Sequence, residues 1–229
     1  MIVRGRYVLV ESPEGSLGFA DDCAVLVRGS TIQETGPWQE LRERWPQETV
    51  VGNGKQLLMP GLIDAHTHGA GLSYVQRGVT LDYLENALLK FAVAFQLSPE
   101  TTAALNAVRH IRNGCTTLHH NESGAALDPN FQTACAKKIE GYQSTGIRLA
   151  FSPGIRNINT LAYDDRAFLE TLPPDLREEA ASRVFIDHER AADEYMDAFE
   201  ALYARYNGER TRIFFGPNWV QGSTDDFLL

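Results

Sequence analysis

The sequence predicts an α/β fold in which a small all-β unit comes before a series of parallel βα units. Three observations predict it. Residues 1–55 read as short strands separated by Gly, Pro and Asp turns. From residue 57 onward, short apolar runs alternate with stretches of helical period, as parallel βα units require. The later runs also end alike, in polar turns that carry Gly or Pro: "HTHG", "HHNESG", "SPGIRN" and "GPNWVQG". Carboxyl ends of parallel strands are where α/β proteins gather their functional side chains.

In chain order, "YVLVE" (7–11), "CAVLVRGSTIQETG" (23–36) and "TVVGNGKQ" (49–56) are strands rich in β-branched residues, and Gly29-Ser30 marks a hairpin. "LLMPGLIDAHTHG" (57–69) is a short apolar run between turn signals, which predicts a buried strand over 57–66. Leu81, Leu84, Leu88 and Phe91 share one face of a helix over 79–96. The helix over 98–114 has Ser98 as its N-cap, Pro99 at its first position, Glu100 in its first turn and Gly114 as its stop. Strand 115–120, helix 129–146 and strand 147–152 follow. After a long polar connection come a helix over 189–208 and a strand over 211–216.

Composition narrows the function. Thirty acidic against 21 basic residues give a net charge of −9, which argues against a nucleic-acid partner, because phosphate binding needs a basic surface. No apolar stretch approaches the roughly 18 residues of a membrane span, and the alternating N-terminus lacks the apolar core of a signal peptide. Cys23, Cys115 and Cys135 are scattered and form no CxxC motif, which suits a reducing, cytoplasmic setting.

His66 and His68 are the leading functional candidates. Strand alternation points them the same way while Thr67 points the other, and two imidazoles on one face suit a shared metal ion. Asp64 either caps the turn or supports the pair from behind. His119 and His120 are adjacent, so at most one faces a site, and His120 is taken as the candidate substrate contact. Arg156, after the third strand, offers a guanidinium to a carboxylate or carbonyl. Asn218 and Trp219, after the fourth, offer an amide to a ring edge and an indole to a ring face. His110 reads as a helix packing residue, and Cys115 as a small core residue.

These motifs resemble the metal-dependent amidohydrolase superfamily. "GKQLLMPGLIDAHTHG" is similar to the start of its catalytic barrel. "NGCTTLHHNES" (113–123) resembles the second strand of its cytosine deaminase, chlorohydrolase and aminohydrolase branch, and "FFGPNWVQGSTDDFLL" (214–229) more distantly its fourth. The resemblance implies a (β/α)8 TIM-type barrel flanked by a small β-sandwich. Residues 1–56 would then be part of the sandwich, and 57–229 about four βα units of the barrel. It implies one divalent metal, zinc or else iron, held by His66 and His68, and hydrolysis of non-peptide C–N bonds on a small planar-ring substrate by a metal-bound hydroxide. Where the fourth strand often carries a histidine, this chain has Asn218. A complete barrel takes about 250 residues, so the chain is expected to correspond to the N-terminal half. The remaining ligands and the acid/base groups would lie elsewhere, and the isolated chain would be inactive, either a homo-oligomer or the partner of a missing C-terminal half. The alternative is a non-catalytic half-barrel that needs a second chain.

Overall fold

The computed structural model describes every residue except 81, 85, 88, 89, 91–93, 124–127, 161, 185 and 186, and leaves aside the side chains of 183, 184 and 188. The chain divides into two compact units, Met1–Gly61 and Leu62–Leu229.

The first unit contains β1 (Ile2–Glu11), β2 (Leu17–Arg28), β3 (Thr31–Pro37), α1 (Trp38–Arg44), β4 (Val50–Val51) and β5 (Leu57–Leu58). Antiparallel β1–β2 and β2–β3 ladders form its body, with the expected turn at Gly29-Ser30, and β4 and β5 run parallel to β1. Ile2, Ala24, Leu26 and Leu41 form its core. The helix α1 has no counterpart in the sequence reading. It is seven residues long and buries only Leu41, too little to write a helical period.

The second unit contains β6 (Leu62–Thr67), α2 (Pro99–Arg112), β7 (Cys115–Asn121), α3 (Phe131–Ser144), β8 (Arg148–Ser152), β9 (Gly154–Ile155), α4 (Asp165–Glu170), α5 (Pro174–Val184), α6 (His188–Tyr206), β10 (Thr211–Ile213), β11 (Gly216–Pro217) and α7 (Asp225–Leu228). Four strands form one parallel sheet in the order β10-β8-β7-β6, and β9 pairs with β11. Successive strands are neighbours, the order of consecutive βα units in a barrel. Leu118, Leu149, Phe151 and Ile213 of the strands pack against Ala107, Ile139, Tyr142 and Leu202 of the helices. The other face is open, and Ile63 on it is 70% exposed.

Three departures have local causes. The run 57–66 serves two sheets: Leu57 and Leu58 pair with Tyr7 and Val8, Pro60-Gly61 interrupts the ladder, and a new strand starts at Leu62. The first compact unit accordingly runs through Gly61. The polar connection after β8 contains α4 and α5; α4 is capped by Asp164, whose side chain accepts from the Ala167 amide, and buries only Leu169. The helix expected over 79–96 lies partly outside the described residues, although Leu84, Asn86, Ala87 and Lys90 are helical. The α2 start follows the sequence, with Ser98 Oγ accepting from the Thr101 amide at 3.2 Å. Among the described residues, no helix is long and apolar enough to cross a membrane.

Candidate functional site

At the end of β6 the ladder to β7 slips between Asp64 and Thr67. Asp64 turns toward the helices, where its Oδ2 lies 2.7 Å from His110 Nε2 on α2, and its Oδ1 accepts from the His66 amide at 3.1 Å. His110 is anchored in turn, with Nδ1 2.8 Å from the Asn106 carbonyl. The hydrogen bond from His110 holds the Asp64 carboxyl below the usual carboxylate range. Asp64 thus fixes the backbone that presents His66, and His110 has a polar role beyond packing.

His66 and His68 converge on the open face. Their Nε2 atoms are 3.3 Å apart and their rings meet edge to face, with centroids 4.9 Å apart. Asn121, the last residue of β7, touches both. Its carbonyl accepts from His68 Nδ1 at 2.9 Å, and its side-chain Nδ2 lies 3.1 Å from His66 Nδ1. His119 shares this face, with Nε2 2.8 Å from Ser152 Oγ and its ring 6.0 Å from that of Phe214. Burial, and then the neighbouring His66, push the His119 pKa down.

His120 is not on this face, which corrects the sequence assignment. It is fully buried, stacked on Phe151 at 4.9 Å. Asn106 Nδ2 donates to the Tyr142 hydroxyl at 3.1 Å, the hydroxyl donates to His120 Nδ1 at 2.8 Å, and His120 Nε2 donates to Glu122 at 3.1 Å. Lys138 closes the chain on the same carboxylate. Burial pushes the Glu122 carboxyl up, but the His120 hydrogen bond and the Lys138 charge outweigh it and bring it to about 2. Burial pushes His120 down, so the ring is neutral between its two partners. The physical reason is alternation: Leu118 is a core residue, and His120, two positions on, shares its side.

This buried chain also shapes the turn that carries His68. Gly69 has φ +61°, and a Cβ there would come within 2.4 Å of both the His120 ring and the Tyr142 hydroxyl. Only glycine supplies both the left-handed backbone and the clearance.

The remaining candidates gather where β9 and β11 end. The Arg156 guanidinium lies 4.7 Å from the centre of the Trp219 ring and donates to the Asn159 carbonyl at 3.3 Å. The Asn218 amide donates to the Ile155 carbonyl at 2.9 Å, while its side chain lies over Gly154. Buried Asn157 ties the two loops, accepting from the Thr224 amide at 3.1 Å. The structure therefore brings Arg156, Asn218 and Trp219 together, brings His66 and His68 together, and removes His120. Sequence reading weighed His119 against His120 and took the wrong one of the two, and it passed over Asn121, although the alternation that buries Leu118 turns both His119 and Asn121 outward. Among the described residues, no third imidazole, thiolate or carboxylate completes a metal-sized cluster with the pair.

Comparison with known proteins gives a consistent picture. Residues 24–47 match the family model of the imidazolonepropionase-like composite domain of bacteria. The chain is 27% identical over 199 residues to an imidazolonepropionase of Brucella abortus strain S19, covering 76% of this chain and 48% of that protein. Its fold is similar to that of a zinc-bound atrazine chlorohydrolase from Arthrobacter aurescens TC1, with a TM-score of 0.61, 16% identity, and coverage of 99% of this chain and 48% of that one. Guanine deaminase from C. acetobutylicum gives a TM-score of 0.60 at 12% identity, with the same coverage. The chain thus spans about half the length of the relatives it matches.

Proposed function

We propose that the chain belongs with the metal-dependent amidohydrolase superfamily, which its matches over about half their length support, and that His66 and His68 are two ligands of one divalent metal in a hydrolase of non-peptide C–N bonds. One observation carries the reading, the 3.3 Å between the two Nε2 atoms. Two nitrogens each about 2.0–2.1 Å from a tetrahedral zinc ion lie about 3.3–3.4 Å apart. The pair therefore has the spacing of two zinc ligands, and neutral imidazoles suit zinc first and ferrous iron second. A zinc-bound relative of the same fold supports zinc.

The bound ion would acidify water and polarise the bond to be broken. The chain's own residues do the rest. His119 Nε2, paired with Ser152 Oγ beside the histidines, is kept neutral by burial and can accept a proton. Trp219 offers an indole face to a planar ring while Arg156 covers the other face. Asn218 offers an amide that hydrogen-bonds but does not shuttle protons. The names of the relatives, guanine deaminase and atrazine chlorohydrolase, favour planar-ring substrates. Three free, buried cysteines accord with a reducing, cytoplasmic setting.

Zinc titration by calorimetry tests the metal reading: His66→Ala and His68→Ala should each abolish the binding isotherm, and unchanged isotherms would end it. An assay with zinc, iron or manganese against aminated pyrimidines, purines and triazines tests the reaction. We expect turnover only when the chain is joined to the segment matching the other half of its relatives, and lost with His66→Ala. In that active form, Trp219→Ala should raise KM more than it lowers kcat, because stacking acts equally on substrate and transition state. A second reading is favoured by the exposed sheet face and by the two-ligand count among the described residues. In it the chain is a non-catalytic half-barrel completed by a second chain or a second copy, and joining the missing segment yields no turnover.

A further inference from the structure

We infer that Asn121 is a positioning residue whose side-chain amide switches His66 between a metal-free and a metal-ready tautomer, while its carbonyl keeps His68 permanently ready. The inference rests on the metal reading above for its consequence, and on the contacts of Asn121 with the two rings for its geometry.

A carbonyl oxygen only accepts. His68 Nδ1, 2.9 Å from the Asn121 carbonyl, therefore carries the proton, and a neutral His68 presents its Nε2 lone pair to the open face. The other ring is held differently. Asn121 Nδ2 donates to His66 Nδ1 at 3.1 Å, so a neutral His66 carries its proton on Nε2. That proton points at the His68 Nε2 lone pair 3.3 Å away. The three contacts form one self-consistent arrangement in which every donor meets an acceptor. It is also closed to a metal, because His66 Nε2 is occupied by its own proton.

To ligate through Nε2, His66 must move its proton to Nδ1, and the group facing Nδ1 must change from donor to acceptor. Rotating the Asn121 amide by half a turn does this by exchanging Nδ2 for Oδ1. It also turns the long 3.5 Å contact of Nδ2 with the His119 carbonyl into one between two acceptors, a cost that the metal bond to His66 must offset. Partners beyond a metal's own ligands commonly set imidazole tautomer and orientation in this way. Here one residue serves two imidazoles, through its backbone on one and its side chain on the other. The amide is suited to the task because it is donor and acceptor in one plane. An aspartate there would accept only and would hold His66 metal-ready at all times. A leucine would support neither tautomer.

The test is the tautomer of each imidazole, read from long-range nitrogen–proton NMR of the 229-residue chain near neutral pH, with and without zinc. Without zinc, the wild-type chain should show His66 protonated on Nε2 and His68 on Nδ1. Asn121→Asp should move His66 to the Nδ1 form without any metal, leaving His68 unchanged. Asn121→Leu should leave His66 in a mixture of tautomers and, where zinc binds, weaken it by about 10–100-fold. With zinc, wild-type His66 should change to the Nδ1 form. A His66 tautomer that is the same in all three proteins would overturn the inference, and so would one already on Nδ1 in the metal-free wild type. If zinc shifts no imidazole of the wild type while the metal-free tautomers follow the pattern above, the metal reading fails and the role of Asn121 in orienting the rings stands. Should Asn121→Leu fail to fold, Asn121→Asp alone decides.

Discussion

His119 and His120 are neighbours on β7, and they differ in almost everything else. His120 lies between sheet and helices, fully buried, with a donor on one nitrogen, an acceptor on the other and an aromatic ring against its face. His119 lies on the open face beside His66, His68 and Asn121, with Ser152 as its hydrogen-bond partner. The first arrangement holds polar groups so completely that little room is left for a ligand. The second leaves the His66 and His68 Nε2 atoms 3.3 Å apart on an exposed face. One strand thus carries the scaffold on one side and the candidate site on the other, and Gly69 couples them by letting the His68 turn lie directly on the buried chain.

The most forceful way to break this comparison is to delete the two histidines in turn. His120→Ala leaves the Tyr142 hydroxyl and the Glu122 carboxylate without their partner and opens a cavity against Phe151. It should cost about 3–5 kcal/mol of stability. His119→Ala, which removes a part-buried ring, should cost no more than about 1 kcal/mol. Urea unfolding of the two variants measures the contrast, and equal losses would erase the distinction between the faces.

Next in size is the coupling through the turn. Gly69→Ala adds a Cβ within 2.4 Å of His120 and Tyr142 at a φ of +61°. Its cost should be about 2–3 kcal/mol. Gly78→Ala, at φ +80° with nothing nearby, pays only the backbone term of about 1 kcal/mol. Only the first should also displace the His68 imidazole resonances.

Acid titration gives a smaller and graded effect. Burial depresses the pKa of His120 from its ordinary 6.5, so below that value the unfolded chain binds a proton that the folded chain refuses, and stability falls with pH. Glu122, brought from 4.5 to about 2, keeps its contribution above 4.5 and loses it as pH falls toward 2. That second loss is on the order of 3 kcal/mol. The urea midpoint should decline between about pH 6.5 and 5, and His120→Gln should flatten that window while keeping the deeper acid loss.

Much of the layout could be read from the residues. The four βα units, the Ser98 cap and the convergence of His66 and His68 follow from period, capping chemistry and strand alternation, all properties of neighbouring residues. The same alternation already contained the fate of His120, since an apolar Leu118 belongs to the core and fixes the side of every second residue. Choosing His120 as a substrate contact weighed its chemistry above its register. What could not be read depends on distant partners. The grip of Asn121 on both histidines spans more than 50 residues of sequence, and the pairing of Asp64 with His110 spans 46. The helices α1 and α4 escaped because each buries a single residue. The second sheet's start at Leu62 escaped because one apolar run feeds two sheets.

The central claim, that the open face of β6 and β7 holds a metal while the helix-side face holds the fold, is tested most directly by anomalous diffraction at the zinc edge from crystals grown with zinc. The account predicts a single strong peak shared by His66 Nε2 and His68 Nε2, lost in His68→Ala and retained in His120→Gln. A peak seated instead between Asp64 and His110, or one that survives His68→Ala, would contradict it.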